Sequence, residues 1–208
     1  MTTVPFAARN INDGGIFMKV VAFCGSARKD GNTAALLKTV FAELNNAGVE
    51  TELVELAGKS VPGCIACYKC FEKKDCRCAV DNDIINDCIA KMQGADAIIL
   101  GSPTYFADMS ASMKGLIERC GMVSRANDDM LKRKLGASVV AVRRCGAAHV
   151  FSSLNYFFLI GQMIIVGSSY WNVGIGRAPG EVLNDEEGIK TMKDLGTNMA
   201  WALEKLAK

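Results

Sequence analysis

Short apolar runs alternate with longer amphipathic segments along this chain, and this alternation limits the folds that it can adopt. The run 19–24 is rich in β-branched residues and is closed by Gly25, as expected of a strand buried on both faces. Apolar residues at helical spacing follow, namely Leu36, Leu37, Val40, Phe41 and Leu44. Gly48 then ends the predicted helix, so the chain opens with a strand followed by a helix.

The same alternation continues to the end of the chain. Four more strands are predicted, at 50–56, 95–100, 137–142 and 165–173. The first of these lies nearer the sheet edge, because polar residues interrupt it. Predicted helices separate the strands, and a last helix spans 187–205. The sequence therefore predicts an α/β protein with a doubly wound, five-stranded parallel sheet between two helical layers, a fold that binds ligands at the carboxyl ends of its strands.

The bulk composition fits one domain and excludes several classes of partner. The 208 residues are 50% hydrophobic and 22% charged, which supplies one core but leaves little room for a second domain. The 24 basic and 22 acidic residues give a formal charge of +2 and are scattered, so nucleic acid is not expected as a partner. No apolar run reaches the roughly 18–20 residues that cross a bilayer, so no membrane association is expected.

The N-terminus and the cysteine count both favour a cytoplasmic protein. Residues 1–17 lack the continuous apolar stretch of a secretory signal, and they are predicted to form a loose extension ahead of one domain at 18–208. Nine cysteines are present, and five of them crowd into the fifteen positions 64–78. An odd number with this crowding is unlike the even spread of a secreted disulfide scaffold.

A glycine-rich loop, residues 25–33, leads from the first predicted strand into the first helix. A helix N-terminus leaves backbone N–H groups unpaired and carries partial positive charge, so such a loop can hold a phosphate. The residues with suitable flexibility or donors are Ser26, Arg28, Gly31, Asn32 and Thr33. The loop lacks the signatures of triphosphate and dinucleotide sites, so a terminal monophosphate is the better hypothesis. An ordinary strand-to-helix turn is the alternative.

Two more loops follow predicted strands at the same edge of the sheet. One consists of Ser102, Pro103, Thr104, Tyr105 and Phe106. Its rings are available to a flat ligand, although a surface turn with partly buried rings is an equal alternative. The other runs from Arg143 to His149 and is flexible enough around Gly146 for backbone to approach a ligand. Its arginines also suit a solvated strand end or a pyrophosphate, and the single histidine is expected to cap or pack rather than to catalyse.

The spacing Gly25-Ser26-x-Arg28-x-x-Gly31-Asn32-Thr33 after a first strand resembles the phosphate loop of the NADPH-dependent FMN reductase family. The resemblance continues through the loop 102–106 and through Lys114 and Arg119, and it covers about residues 18–208. It implies a flavodoxin-like fold with strand order 2-1-3-4-5 and FMN bound by the first two loops. It also implies that the loop with Arg143 and Gly146 touches the isoalloxazine, and that the chain is a homodimer or homotetramer.

A compact cysteine motif lies in an insert predicted at 62–80. Cys64, Cys67 and Cys70 are separated by two residues each, and Cys76 follows after five more. Thiolates this close along the chain can reach separate iron corners of a cubane cluster. The motif and its place after the second strand resemble the iron–sulfur flavoproteins, which implies a [4Fe–4S] cluster that passes electrons to FMN. Structural zinc, unmetallated thiols and a redox-active thiol pair remain alternatives.

The other cysteines leave one ambiguity about the fourth ligand. Cys78 can replace Cys76, because it lies two residues further along the same loop. The four cysteines outside the insert are expected to be small core residues; they are Cys24, Cys88, Cys120 and Cys145.

The sequence and its resemblance lead to one main hypothesis about function. The chain is expected to be an FMN-dependent oxidoreductase that takes electrons from NAD(P)H or a reduced carrier protein. The electrons pass through FMN, with a [4Fe–4S] cluster as a second carrier, to a small-molecule or protein acceptor. The alternative is an electron carrier or redox sensor without NAD(P)H turnover, since no second nucleotide motif is present.

Overall fold

The structure is a computed structural model that describes residues 18–207. The extension predicted at residues 1–17 lies outside the described residues. The strands are β1 (Lys19–Cys24), β2 (Glu50–Glu55), β3 (Ala97–Pro103), β4 (Leu135–Val142), β5 (Ile164–Ile165) and β6 (Val173–Ile175). The α-helices are α1 (Asn32–Asn46), α2 (Lys69–Lys73), α3 (Ile85–Gly94), α4 (Ala111–Ala126), α5 (Ala147–Ile160) and α6 (Glu186–Leu206), with a 3-10 turn at Glu181–Asn184 before α6.

The strands form one parallel sheet in the order β2-β1-β3-β4-β5, and β6 also pairs with β4. This order confirms the predicted α/β, flavodoxin-like fold. The chain crosses over between β2 and β3, so the sheet grows outward in both directions from β1. The switch point of such a sheet lies between β1 and β3, where their loops diverge to opposite faces.

Residues of β1 and β3 alternate between two apolar cores, one on each face of the sheet. Val20 and Ala22 pack with α1 and α6, whereas Val21 and Phe23 pack with α3, α4 and α5. All four side chains are buried, as predicted for a strand covered on both faces. Strand β2 is half-buried throughout, which confirms its predicted position at the sheet edge.

The fifth strand position is divided, so the prediction of one strand at 165–173 was wrong. Strand β5 pairs with the start of β4, and β6 pairs with its end. Between them the Asn172 amide donates to the Ser138 carbonyl at 2.9 Å, and Val140 N–H donates to the Asn172 carbonyl at 2.9 Å. The Ser168 hydroxyl in turn contacts the Asn172 side chain at 2.6 Å. Polar side chains thus replace part of the backbone ladder and let the edge strand leave the sheet.

The carboxyl ends of β1, β3 and β4 lie side by side. Gly25 N–H donates to the Gly101 carbonyl at 2.7 Å, and Thr104 N–H donates to the Ala141 carbonyl at 2.9 Å. The cysteine-rich insert at 62–80 runs between β2 and α3 and contains α2. Within 18–207, no helix combines the length and the apolar character that a membrane crossing requires.

Candidate functional site

Three loops meet at the carboxyl edge of the sheet, as the sequence predicted. They follow β1, β3 and β4, which are neighbours in the sheet. The Ser112 hydroxyl at the start of α4 contacts the Gly25 carbonyl at 3.3 Å, which ties the first loop to the second. The three predicted loops therefore lie side by side at one edge of the sheet.

The first loop ends at the N-terminus of α1, where Gly31 and Thr33 are buried and Asn32 is half-buried. Gly31 is the N-cap residue; no side-chain cap and no acidic residue in the first turn compete for the free N–H groups of this helix. The Ser26 hydroxyl accepts from Arg28 N–H at 3.1 Å and donates to the Arg28 carbonyl at 3.2 Å, so this buried serine shapes the turn. The result is a helix end without a side-chain cap, a feature that suits an anion.

The remaining polar residues of this loop are partly engaged with a segment that the sequence did not point to. The exposed Arg28 guanidinium donates to the Arg177 carbonyl at 3.2 Å. The Asn32 side-chain oxygen accepts from Val182 N–H at 3.4 Å, whereas Thr33 is buried at the helix start. Residues 177–182 therefore border the loop, because β6 delivers them to the same sheet edge; no local motif in the sequence announces this.

Strand β3 extends further than predicted and takes in Ser102 and Pro103. Ser102 is 0% exposed; its hydroxyl donates to the Pro103 carbonyl at 2.8 Å and accepts from Ser110 N–H at 3.0 Å. Ser110 in turn caps α4 by accepting from Met113 N–H. The Ser102 side chain thus supports the start of α4 and is buried, rather than exposed at the edge of the sheet as a ligand contact would require.

Thr104 carries an unusual feature for a folded protein. Its Oγ1 atom is buried and has no hydrogen-bond partner among the described residues. A buried hydroxyl without a partner costs free energy, and such groups are rare unless something else satisfies them. Gly146, at the N-terminus of α5, lies directly beside this threonine: a Cβ atom placed on the glycine would be 3.1 Å from Thr104 Cγ2. The unsatisfied hydroxyl therefore lies where the second and third loops meet.

The tip of the second loop presents aromatic surface to solvent. Tyr105 and Asp108 exchange backbone hydrogen bonds at 2.8 and 3.2 Å, which folds the tip into a tight turn. Phe106 and Ala107 between them have positive φ values of 38° and 79°. Phe106 is fully exposed and Tyr105 is 39% exposed. Both rings are thus free to lie against a flat ligand.

The third loop is short and open. Arg143 is exposed, and Gly146 begins α5 with a φ of 89°, a left-handed conformation that disfavours any residue with a side chain. His149 lies in the first turn of α5, where its Nε2 is 3.7 Å from Asp108 Oδ1. The histidine therefore links the second and third loops across the candidate site.

The cysteine loop encloses a surface cavity at one side of α4. The residues that line it include Cys64, Cys67, Cys70 and Cys78. Cys76 does not line this cavity; its N–H donates to the Asn127 side chain at 3.2 Å. Across residues 18–207, no three side chains of the kinds that bind metals lie close enough together to hold an ion. Four cysteines of the insert thus line one cavity, and within the described chain they are not gathered closely enough to form a finished metal site.

Arg119 on α4 forms the wall of the same cavity and is 1% exposed. Its guanidinium pairs with the buried Asp83 carboxylate and donates to the Cys78 sulfur from Nε and from a terminal nitrogen, each at 3.3 Å. It also donates to the Val80 carbonyl at 2.6 Å. Burial alone would lower the pKa of Arg119, but the hydrogen bonds to Asp83 and Cys78 raise it above its usual value. In the sequence, Arg119 was identified only through the family resemblance, and its partners Asp83, Cys78 and Val80 were not predicted.

The other thiols differ in their surroundings. Burial raises the pKa of Cys24 to about 11 and that of Cys88 to about 12, and it raises the pKa of the fully buried Cys120 as well. These three are core residues, as predicted. The same prediction was wrong for Cys145, which is exposed, because β4 ends at Val142 and leaves the next residues in a loop.

Comparison with known proteins identifies a family for the part of the chain that contains the sheet and the three loops. The family model of NADPH-dependent FMN reductase matches residues 18–178, which include β1 to β6 and all three loops. The chain therefore belongs to the NADPH-dependent FMN reductase family.

Individual relatives narrow the assignment. An iron–sulfur flavoprotein of Methanocaldococcus jannaschii is 35% identical over 198 residues, covering 92% of this chain and 100% of that protein. An iron–sulfur flavoprotein of Archaeoglobus fulgidus is 34% identical over 188 residues, covering 90% of this chain and 81% of that protein. These relatives place the chain in the iron–sulfur flavoprotein subgroup of the family.

Solved structures confirm the fold. An NAD(P)H:quinone oxidoreductase from Methanothermobacter marburgensis superposes with a TM-score of 0.66 at 14% identity, covering 88% of this chain and 98% of that one. A flavodoxin from the domain Archaea gives a TM-score of 0.58 at 16% identity, with coverage of 90% and 99%. At this level of identity the likeness concerns the flavodoxin-like architecture alone.

Proposed function

We propose that this protein, an FMN-dependent oxidoreductase by its family, takes electrons from NAD(P)H or a reduced carrier protein and delivers them to a small-molecule or protein acceptor. The observation that carries the proposal is the buried, unpartnered hydroxyl of Thr104 at the meeting point of two loops. A bound flavin ring has carbonyl and nitrogen atoms along its edge that can satisfy this hydroxyl. The uncapped start of α1 at the neighbouring loop suits the phosphate of the same molecule.

The residues of the three loops divide the work of holding FMN. The phosphate would be bound by Arg28, Asn32, Thr33 and the free N–H groups of α1, with Ser26 and Gly31 setting the turn. The isoalloxazine would lie against Thr104, Tyr105 and Phe106, with Gly146 and Arg143 along its other side and with Ser102 and Pro103 fixing the strand end. When bound, FMN supplies hydride and one-electron chemistry. The protein's own contribution is to bind, orient and partly shield it.

We propose further that the cysteine loop holds a [4Fe–4S] cluster. The donor set fits, because four cysteines line one cavity and iron–sulfur clusters are held by cysteine thiolates. The structure favours Cys78 over Cys76 as the fourth thiolate beside Cys64, Cys67 and Cys70, since Cys76 lies off the cavity. A cluster here would supply one-electron transfer at an exposed surface, within reach of a protein partner. The alternatives to the cluster are a zinc ion bound by these cysteines or cysteines that bind no metal.

Anaerobic purification with quantitative cofactor analysis tests both parts of this proposal. The expected result is one FMN and about four irons with matching sulfide per chain, with flavin absorption bands above a broad shoulder. One FMN without iron would leave an FMN oxidoreductase and remove the cluster. Absence of FMN uptake, even with FMN in excess, would remove the whole proposal.

The electron donor is tested by mixing the holoprotein anaerobically with NADPH or NADH. Rapid bleaching of the flavin band is expected if NAD(P)H is the donor. Reduction by ferredoxin or dithionite alone would instead support the electron-carrier function. Exposed Cys64 and Cys67 favour a protein partner for this second function, because they bring the candidate cluster loop to the surface.

We also propose a homodimer or homotetramer in the cytoplasm. Side chains along one side of α5 are apolar and 60–70% exposed, namely Tyr156, Leu159 and Ile160, and such surface is typical of subunit contacts. All nine thiols are unpaired, which suits a reducing compartment. Light scattering coupled to size-exclusion chromatography measures the oligomer; a monomer would contradict this assembly.

A further inference from the structure

We propose that Arg119 is a positioning residue for the iron–sulfur cluster: it holds the Cys78 sulfur at the cavity wall and raises the reduction potential of the cluster. This inference rests on the cluster in the proposed function and assigns a role to a residue outside the cysteine motif. It starts from a contact that the fold imposes. Arg119 lies 41 residues after Cys78 in the chain, yet two of its nitrogens donate to the Cys78 sulfur at 3.3 Å each.

The guanidinium cannot easily move away from this sulfur. It is 1% exposed, and it also donates to the Asp83 carboxylate and to the Val80 carbonyl. Asp83 is itself 2% exposed and accepts a further hydrogen bond from Ile85 N–H at 3.0 Å. The orientation of Arg119 is therefore fixed by the buried Asp83 carboxylate and the half-buried Val80 carbonyl, and two of its N–H groups donate to the Cys78 sulfur.

A fixed pair of N–H donors affects the two oxidation states of a cluster unequally. The reduced cluster carries one more negative charge than the oxidised cluster, and part of that charge resides on the ligand sulfurs. Hydrogen bonds to those sulfurs therefore stabilise the reduced state more, which raises the reduction potential. Because the negative charge of Asp83 balances the positive charge of Arg119, we attribute the effect on the reduction potential to the hydrogen bonds that Arg119 donates to the sulfur, and not to its net charge.

A purely structural role for Arg119 predicts something different. Asp83 and Val80 begin the segment that leads into α3, so Arg119 also anchors the end of the cysteine loop. If anchoring were its whole contribution, a variant that keeps the fold and the cluster would keep the potential. The potential is therefore the measurement that separates the two roles.

Two variants and one control are suited to this test. Arg119→Lys keeps a cation for Asp83 but loses the planar fork that reaches the sulfur. The double variant Arg119→Gln with Asp83→Asn removes both buried charges together, so neither is left unpaired. Arg125→Gln is the control. Arg125 lies on the same helix and is exposed, its guanidinium is 3.1 Å from the Asp129 carboxylate, and it does not line the cavity.

The experiment is a redox titration of each anaerobically purified holoprotein, followed by electron paramagnetic resonance, with FMN and iron content measured in parallel. Both Arg119 variants are expected to have a more negative cluster potential than the wild type. A tenfold loss of preference for the reduced state corresponds to about 59 mV for a one-electron couple. Arg125→Gln is expected to match the wild type in potential and in iron content.

Each outcome decides the question. A more negative cluster potential in an Arg119 variant that keeps its FMN and its iron supports the proposal. Loss of iron from both Arg119 variants, with FMN and circular dichroism retained, would reduce Arg119 to an anchor of the cysteine loop and overturn its effect on the potential. Full iron with an unchanged potential in Arg119→Lys and in the double variant overturns it while leaving the proposed function intact. A wild-type protein that holds FMN but no iron overturns both the cluster and this role of Arg119.

Discussion

Gly146 and Thr104 approach each other so closely that a Cβ atom on the glycine would lie 3.1 Å from the threonine Cγ2. The contact joins the loop after β4 to the loop after β3, and it leaves the Thr104 hydroxyl buried without a partner within the described chain. Gly146 also has a φ of 89°, which a side chain disfavours. The close approach, the unpartnered hydroxyl and the positive φ all fall at one contact, and this combination is expected where two loops border a ligand-binding site.

Gly146→Ala is expected to weaken the fold and FMN binding together. The left-handed backbone costs an L-residue roughly 1–2 kcal/mol, and the new methyl group presses on Thr104 in addition. Urea unfolding of the apoprotein and FMN titration measure the two effects. Gly48→Ala is the matched control, because Gly48 also has a positive φ but nothing lies within 4 Å of its added Cβ. It should lower stability and leave the FMN affinity unchanged.

Thr104→Val is expected to separate binding from stability. The valine removes a buried hydroxyl that has no partner in the chain, so the apoprotein should be as stable as the wild type or more stable. FMN affinity should fall roughly 2–13-fold, because one hydrogen bond contributes roughly 0.5–1.5 kcal/mol. Thr104→Ser keeps the hydroxyl and should retain most of the affinity. Unchanged FMN affinity in the valine variant would show that this hydroxyl does not meet the flavin.

Arg28→Ala is expected to weaken FMN binding roughly 10–100-fold, since a charge-assisted hydrogen bond contributes about 1.5–3 kcal/mol. The loss should disappear when riboflavin, which lacks the phosphate, replaces FMN. Fluorescence quenching of each flavin during titration provides both affinities. Lys29→Ala is the control from the same exposed turn. Equal weakening of FMN and riboflavin would contradict a phosphate contact and point to a general disturbance of the loop.

Cys78→Ala should abolish iron binding, whereas Cys76→Ala should retain about four irons per chain. The reason is that Cys78 lines the cavity shared with Cys64, Cys67 and Cys70, and Cys76 does not. Iron and sulfide analysis of the anaerobically purified variants measures this, with FMN content as the check on folding. The reverse pattern of iron loss would restore Cys76 as the fourth ligand.

Alkaline pH should destabilise the fold through its buried thiols. Burial raises the pKa of Cys88 to about 12 in the folded protein, whereas an unfolded thiol ionises near 8.5. Above this lower value the unfolded chain gives up a proton that the native state keeps. The contribution of Cys88 to stability is therefore complete below about pH 8.5, and it falls by about 1.4 kcal/mol per pH unit toward pH 12.

Urea unfolding at several pH values between 8 and 11 isolates the contribution of Cys88 if the wild type is compared with Cys88→Ala. The variant should lose stability less steeply as the pH rises, although it is less stable at pH 8 because a core side chain is truncated. Parallel curves for the two proteins would mean that the Cys88 thiol ionises as readily in the folded state as in the unfolded state.

The sequence predicted most reliably the position of a strand in the sheet, because the pattern of apolar residues along a strand reflects how many of its faces are buried. The apolar run of β1 and the half-polar run of β2 correctly predicted a buried and an edge position, because burial on one or two faces is written into successive residues. The division of the fifth strand was missed. Nothing near Asn172 shows that its amide will meet the Ser138 carbonyl 34 residues earlier.

In the candidate site, too, local sequence predicted the segments involved but not the contacts between residues far apart in the chain. The sequence by itself determined the sheet order through family resemblance, and it located three loops and a thiol-rich insert. Only the tertiary structure decided that Ser102 faces inward, that Thr104 keeps an unsatisfied hydroxyl, and that Cys78 rather than Cys76 lines the cavity beside Arg119. Spacing along the chain limits how far two groups can lie apart, but the direction in which each side chain points depends on contacts with distant strands and helices.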